Sequence, residues 1–175
     1  WTGTCRAADI GTGCGAIAIT LAVHLPQATI YATDVSPEAL EVALANAQRH
    51  GVLPQVRFRR GDLLEPLPHP FPLVVANLPY LSAGDWPTLP PEVMAYEPQQ
   101  ALYGGERGLD VIERMLKQAR YRLVSGGCLL LELGGGQGQR ALGLARAAFP
   151  KARIRLIPDL AGIPRVLSIQ IEAIP

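Results

Sequence analysis

Residues Arg6–Leu25 read RAADIGTGCGAIAITLAVHL. The first five have the length and apolar character of a short buried strand, and the glycine-rich GTGCG that follows cannot extend it. The last ten are nearly all apolar and too long for a typical strand, so they predict a helix. Glycines at such a junction let the backbone turn tightly and let a ligand approach with no Cβ in the way. The helix behind them offers unbonded N–H groups and a partial positive end, both suited to an anion.

The alternation continues outward from this unit. TIYATD (29–34) predicts a second strand. SPEALEVALANAQRH (36–50) predicts a helix with Ser36 as N-cap, Pro37 in its first turn and Gly51 just past its end. QVRFRR (55–60) and PLVVAN (72–77) predict strands three and four. GLDVIERMLKQARYRL (108–123) predicts a helix that places Leu109, Ile112, Met115, Leu116 and Ala119 on one stripe. CLLLEL (128–133) is a fifth strand, QRALGLARAAF (139–149) a helix, and ARIRLIP (152–158) and RVLSIQI (165–171) the sixth and seventh strands. Strands alternating with helices imply a mostly parallel sheet covered on both faces. Only DLAGIP separates the last two strands, too short for a helical crossover, so they are expected to run antiparallel. The proline-rich segments Pro66–Pro72 and Pro87–Pro91 read as loops. With no repeat and no linker, residues 1–175 are expected to form one domain.

Bulk properties narrow the function. Of 175 residues 49% are hydrophobic, which excludes a disordered chain. The longest apolar run is about half of what a bilayer crossing needs, so neither a secretion signal nor a membrane anchor is expected. Cys5, Cys14 and Cys128 are odd in number and lack metal-ligand spacing, which fits a reduced cytoplasmic protein. His24, His50 and His69 have no ligand partner at useful spacing. Residues 1–100 hold 5 Lys/Arg against 9 Asp/Glu and residues 101–175 hold 11 against 6. The imbalance reads as a solvated basic face rather than a nucleic-acid surface, which would carry a larger excess.

An acid, Asp34, closes the second strand about 20 residues on from the glycine loop, where it can accept hydrogen bonds from both ribose hydroxyls of a nucleoside. Strand, loop, helix and acid together favour a nucleoside ligand over a plain turn. The loop Gly11-Thr12-Gly13-Cys14-Gly15 spaces its glycines as G-x-G-x-G, tighter than the dinucleotide fingerprint. With Asp9 two residues before the first glycine it resembles the S-adenosylmethionine loop of class I methyltransferases. That resemblance implies a Rossmann-like seven-stranded sheet with the last strand antiparallel. It also implies cofactor contacts from Asp9, from the loop residues Gly11 to Gly15 and from Asp34. In the RGDLLEPL segment it implies Asp62 near the adenine amino group, with Leu63 against the ring.

The fourth strand ends in Asn77-Leu78-Pro79-Tyr80, on the carboxyl edge where open α/β sheets bind ligands. This resembles the motif of class I methyltransferases that act on planar nitrogens. Such a nitrogen is a poor nucleophile because its lone pair is delocalised. The Asn77 side-chain oxygen and the carbonyl of Leu78 can each accept one N–H of the target, fixing it for attack. Pro79 holds Leu78 extended, and Tyr80 offers a flat face for a planar group. Asn77 is also expected to border the cofactor.

Asn-Leu-Pro-Tyr is common in ribosomal RNA adenine dimethyltransferases, so RNA or DNA adenine is the alternative substrate. The sequence beyond the motif resembles instead the release factor glutamine methyltransferases. The resemblance runs through Glu97, Pro98, Ala101, Leu102, Gly104, Gly105, Gly108, Leu109 and Asp110, then Glu132, Gly134 and Gln137 or Gln139, then the DLAGIPRVL ending. It implies methyl transfer from S-adenosylmethionine to a glutamine side-chain amide in the Gly-Gly-Gln segment of a peptide chain release factor, in the cytoplasm. It also implies that the chain is the catalytic domain, without that family's N-terminal helical domain. Glu97 reads equally as a substrate contact and as a turn cap.

Overall fold

The computed structural model describes residues 5–173; the expected domain's first four and last two residues lie outside them. Its elements are β1 (Arg6–Ile10), α1 (Ala16–His24), β2 (Thr29–Asp34), α2 (Pro37–Arg49), β3 (Val56–Arg60) and β4 (Phe71–Ala76), followed by α3 (Pro91–Tyr96), α4 (Gln99–Leu102), α5 (Asp110–Ala119), β5 (Leu123–Glu132), α6 (Gly138–Ala148), β6 (Arg153–Pro158) and β7 (Pro164–Gln170). The strands form one sheet in the order β3-β2-β1-β4-β5-β7-β6. Strands β1 to β5 pair in parallel, while β7 slots between β5 and β6 and is antiparallel to both. The expected mostly parallel sheet with its last strand reversed is the one observed. Strand order turns back at β1, which has β2 on one side and β4 on the other. That reversal opens a crevice at the carboxyl ends of β1, β2 and β4.

Each face of the sheet buries its own core. On one, α5 and α6 lay Ile112, Met115, Leu116, Ala119, Ala141 and Ala145 against Val74, Leu129, Leu131 and Leu167. The apolar stripe read from the sequence of α5 is the buried one, every member at most 7% exposed. On the other face, α1 contributes Ala18, Ile19 and Ala22 and α2 contributes Ala47, packed over Ala7, Ile30 and Val56. Alanine dominates there, so these helices approach the strands closely. Ser36 caps α2 as predicted, its Oγ accepting the Ala39 N–H at 3.0 Å.

Both outer strands carry arginine. Arg57, Arg59 and Arg60 of β3, and Arg153 and Arg155 of β6, are all exposed. Much of the basic character read from the sequence thus belongs to the sheet margins as well as to the late helices.

Three readings need correction. Strand β5 begins at Leu123, five residues before the predicted CLLLEL, and so takes in the end of the segment predicted as helix. Its register against β4 jumps, with Phe71 opposite Leu123 but Leu73 opposite Cys128. The pair Gly126-Gly127 falls in this irregularity and Gly126 sits at φ +72°, as a bulge requires. Phe71, assigned to a loop, belongs to β4 and so does Pro72, which the loop and strand readings shared; Pro72 stands at the register jump, where its missing N–H breaks no ladder. The second proline-rich segment also contains structure: a 3-10 turn at Trp86–Thr88 and the start of α3 at Pro91.

Candidate active site

The glycine loop between β1 and α1 is held by an interior carboxylate. Asp9 is fully buried; its Oδ2 accepts the Thr12 hydroxyl at 2.6 Å and the Ala18 N–H at 3.0 Å. Gly15, at the N-cap of α1, has no side chain to cap the helix. Asp9 therefore serves as the cap from the neighbouring strand. Ala16 and Ile17, which open α1, line the crevice. Asp9 Oδ1 has no partner, and burial pushes the carboxyl up to about 6, against the downward pull of the Thr12 and Ala18 hydrogen bonds. Asp9 and Gly15 do not reach the crevice wall. Asp9 acts through the loop, and Gly15 lies against α2, where a Cβ would stand 3.1 Å from that of Ala43. Gly11, Thr12, Gly13 and Cys14 do line it. Gly11 and Gly13 sit at φ +67° and +54°, a conformation that favours glycine.

Asp34 faces this loop. Its Oδ2 accepts the Gly13 N–H at 2.8 Å and its Oδ1 the Ser36 N–H at 3.0 Å. Each oxygen keeps a second lone pair, enough for two hydroxyls. Across the crevice Leu63 adopts φ +49°, unusual for a branched side chain. The buried Thr33 hydroxyl fixes it by donating to the Leu63 carbonyl at 2.9 Å, and the Leu64 N–H donates to Gln118 Oε1 at 2.8 Å. Asp62 is not left free for a ligand alone. Its Oδ2 is paired with Arg114 Nη2 from α5, a crevice residue the sequence reading missed because nothing in the chain links positions 62 and 114.

The crevice encloses about 1330 Å³, and Asn77, Leu78, Pro79 and Tyr80 line it beside Gly11, Gly13, Asp34, Asp62 and Leu63. Asn77 is exposed and its side chain bonds to no other described residue, whereas Leu78 is buried and anchors the motif. The two halves of the site touch: a Cβ on Gly11 would lie 3.0 Å from Leu78 Cδ2 and 3.7 Å from the Asn77 carbonyl. The far wall comes from residues 98–103 with Leu89 and Val93. A backbone pairing ties it to the motif, the Leu81 N–H donating to Leu102 O and the Gly104 N–H to Leu81 O, both at 2.9 Å. Glu97 follows α3 as its C-terminal residue, exposed and outside the crevice lining. Among the described residues no group of His, Cys, Asp and Glu could hold a metal ion.

The donor set fits an adenosyl ligand: left-handed glycines with no side chains, a carboxylate with spare lone pairs, and an apolar residue locked across from them. Comparison with known proteins points the same way. A family model described as "Methyltransferase small domain" matches residues 3–89. The chain is 42% identical over 163 residues to the release factor glutamine methyltransferase of Gloeobacter violaceus, and 45% over 159 residues to that of Moorella thermoacetica. These matches cover 93% and 90% of the chain but 57% and 56% of the relatives, so it spans somewhat more than half their length. Among solved structures, a ribosomal protein L11 methylase from Lactobacillus delbrueckii subsp. bulgaricus superposes with TM-score 0.69 at 21% identity, over 98% of this chain and 72% of its own. A Streptococcus mutans protein in complex with SAH superposes with TM-score 0.62 at 18% identity, over 95% and 88%. At these identities the structural likeness is one of fold.

Proposed function

We propose that this chain is a member of the release factor glutamine methyltransferase family and transfers a methyl group from S-adenosylmethionine to the side-chain amide nitrogen of a glutamine in a peptide chain release factor. The observation that carries this reading is the closeness of Gly11 to Asn77 and Leu78, near enough that a Cβ would meet them, which joins a nucleoside-type loop and an amide-directed motif in one crevice.

When bound, S-adenosylmethionine supplies an electrophilic methyl group on a sulfonium sulfur. Asp34 would accept the ribose hydroxyls, Leu63 would pack against the adenine, and Asp62 would share its carboxylate between Arg114 and the adenine amino group. On the acceptor side, Asn77 Oδ1 and the Leu78 carbonyl each take one N–H of the glutamine amide. That orientation directs the nitrogen's electron pair toward attack and withdraws it from the amide resonance. Tyr80 packs against the amide plane. The amide nitrogen held by Asn77 and Leu78 would take the methyl group that the sulfonium gives up, and its surplus proton would leave to water. No general base is needed, and no histidine lines the crevice among the described residues.

The alternative, an adenine in RNA or DNA, needs a place for phosphates. Among the described residues the only Lys or Arg in the lining is Arg114, which is already paired with Asp62. The sequence holds no Lys or Arg between Arg60 and Arg107, and the far wall falls inside that interval. A neutral peptide fits such a wall better than a polyanion does. Among the described residues no helix is long and apolar enough to cross a membrane; we place the activity in the cytoplasm, where translation terminates.

The test offers methyl-labelled S-adenosylmethionine to the chain with a release factor, with that factor's Gln→Ala variant in the Gly-Gly-Gln segment, and with ribosomal RNA. Label on the intact factor only is expected; label on RNA only would overturn the proposal. Asn77→Ala should abolish transfer and leave cofactor binding within about twofold, because its contribution is to the reacting amide.

A further inference from the structure

Gln137 was legible only as part of a motif match, yet it sits where three separate segments meet. It precedes α6 and is half-buried. Its Oε1 accepts the Gly134 N–H at 2.9 Å. Its Nε2 donates to the Tyr80 carbonyl at 2.6 Å and to the Gly108 carbonyl at 3.2 Å. Donors and acceptors match on every side, which fixes the orientation of the amide: turned over, its oxygen would face two carbonyl oxygens. One side chain thus satisfies backbone groups from the turn after β5, from the motif after β4 and from the glycine loop before α5.

The surroundings leave this amide no slack. A Cβ on Gly108 would lie 2.3 Å from the Tyr80 carbonyl and 2.6 Å from Gln137 Nε2, and one on Gly134 would lie 2.9 Å from Tyr80 Cδ2 and 3.0 Å from Gln137 Oε1. From the opposite side Gly104 lies against the same peptide, its would-be Cβ 2.5 Å from the Pro79 carbonyl and 2.8 Å from Tyr80 Cα. The glycines let three backbones close on Pro79-Tyr80, and Gln137 supplies the hydrogen bonds that hold them there.

We infer that Gln137 is a positioning residue for the methyl acceptor: by clasping the Tyr80 carbonyl it fixes the course of Asn77-Leu78-Pro79-Tyr80, and so the aim of the Asn77 and Leu78 oxygens. Gln137 does not line the crevice, so it acts through the motif. Its catalytic consequence rests on the function proposed above; the clasp itself does not. Loss of the clasp lowers kcat for the acceptor while cofactor affinity stays, because Thr12, Gly13 and Asp34 are held by other bonds.

The experiment compares wild type, Q137A and Q137E by hydrogen exchange of backbone amides, by cofactor titration and by methyl transfer to the release factor. In both variants exchange should quicken at Leu81, Gly104 and Asp110, whose N–H groups bond within the clasped segments, and stay unchanged in β2 and α2. Cofactor Kd should stay within about twofold, and kcat should fall roughly 10- to 100-fold, the usual consequence of a misaimed reacting group. Q137E should be no better than Q137A, since a carboxylate keeps the bond from Gly134 and turns an acceptor toward two carbonyls. Unchanged exchange at the three amides, or quickened exchange spread evenly over the sheet, would overturn the inference. So would full turnover in Q137A. Wild-type protein that labels no release factor would count against the proposed function and leave the exchange result to decide the clasp.

Discussion

Asp9→Asn isolates the energetic consequence of one buried charge. The carboxyl is fully buried, with one oxygen unpartnered, and its folded-state value stands near 6 against 3.8 for the free group. A folded pKa raised above the unfolded one means the native state binds the proton more tightly. In that window the native chain holds more protons than the unfolded chain, so stability falls as pH rises through it. At 1.36 kcal/mol for each unit, the gap amounts to about 3 kcal/mol, present below about pH 4 and lost above about pH 6. Asparagine does not titrate, so the variant should escape this loss. It keeps an oxygen for Thr12 and Ala18 but places an amide NH₂ where Oδ1 had no partner, at a constant penalty of about 1–3 kcal/mol. The informative quantity is therefore the pH dependence of the difference. Urea unfolding of both proteins between about pH 4.5 and 7.5 should show the variant gaining roughly 2 kcal/mol on wild type across that range. A difference that stays flat, or that moves toward wild type as pH rises, would refute the assignment of a strained buried carboxylate at position 9.

Gly104→Ala forces a Cβ against the backbone of Pro79 and Tyr80; overpacking of this kind costs about 1–3 kcal/mol, so Tm should drop, and transfer should fall further than cofactor affinity. Ser36→Ala removes the bond to the Ala39 N–H and should lower urea stability by about 1 kcal/mol, with transfer unchanged when measured well below Tm.

The sheet and its long helices were legible because each repeats a simple pattern over enough residues. Leu109, Ile112, Met115, Leu116 and Ala119 recur at helical spacing, and the same five are buried. The short elements were not legible. Pro87 and Pro91 bound a segment read as a loop, yet they stand in the first turns of a 3-10 turn and of α3, the helical position where proline's missing N–H costs nothing. Helices of six and four residues are too short to show a period. Gly126-Gly127 lies between the predicted helix and the predicted fifth strand, because a glycine pair does not carry a strand pattern even where a partner strand absorbs the bulge. Of the residues on the chain's local motifs, Gly11 to Cys14, Asp34, Asp62, Leu63 and Asn77 to Tyr80 line the crevice, whereas Asp9 and Gly15 do not. Arg114 and the contacts of Gln137 were not legible, because they join positions far apart in sequence, brought together only by the packing of α5 and the turn before α6 over the sheet.

The arginines on β3 and β6 bear on how this molecule behaves in a crowd. A seven-stranded open sheet leaves two rows of backbone donors and acceptors unpaired, each able to add a strand from another copy. Here Arg57, Arg59 and Arg60 guard one border and Arg153 and Arg155 the other, while Pro158 and Pro164 face each other at one end of the pairing of β6 with β7, without N–H groups to offer. Two copies approaching edge to edge meet like charges on either margin. The positive charge that a composition table would assign to a polyanion thus keeps the sheets of neighbouring molecules apart, and leaves the crevice, almost free of cations, to the substrate.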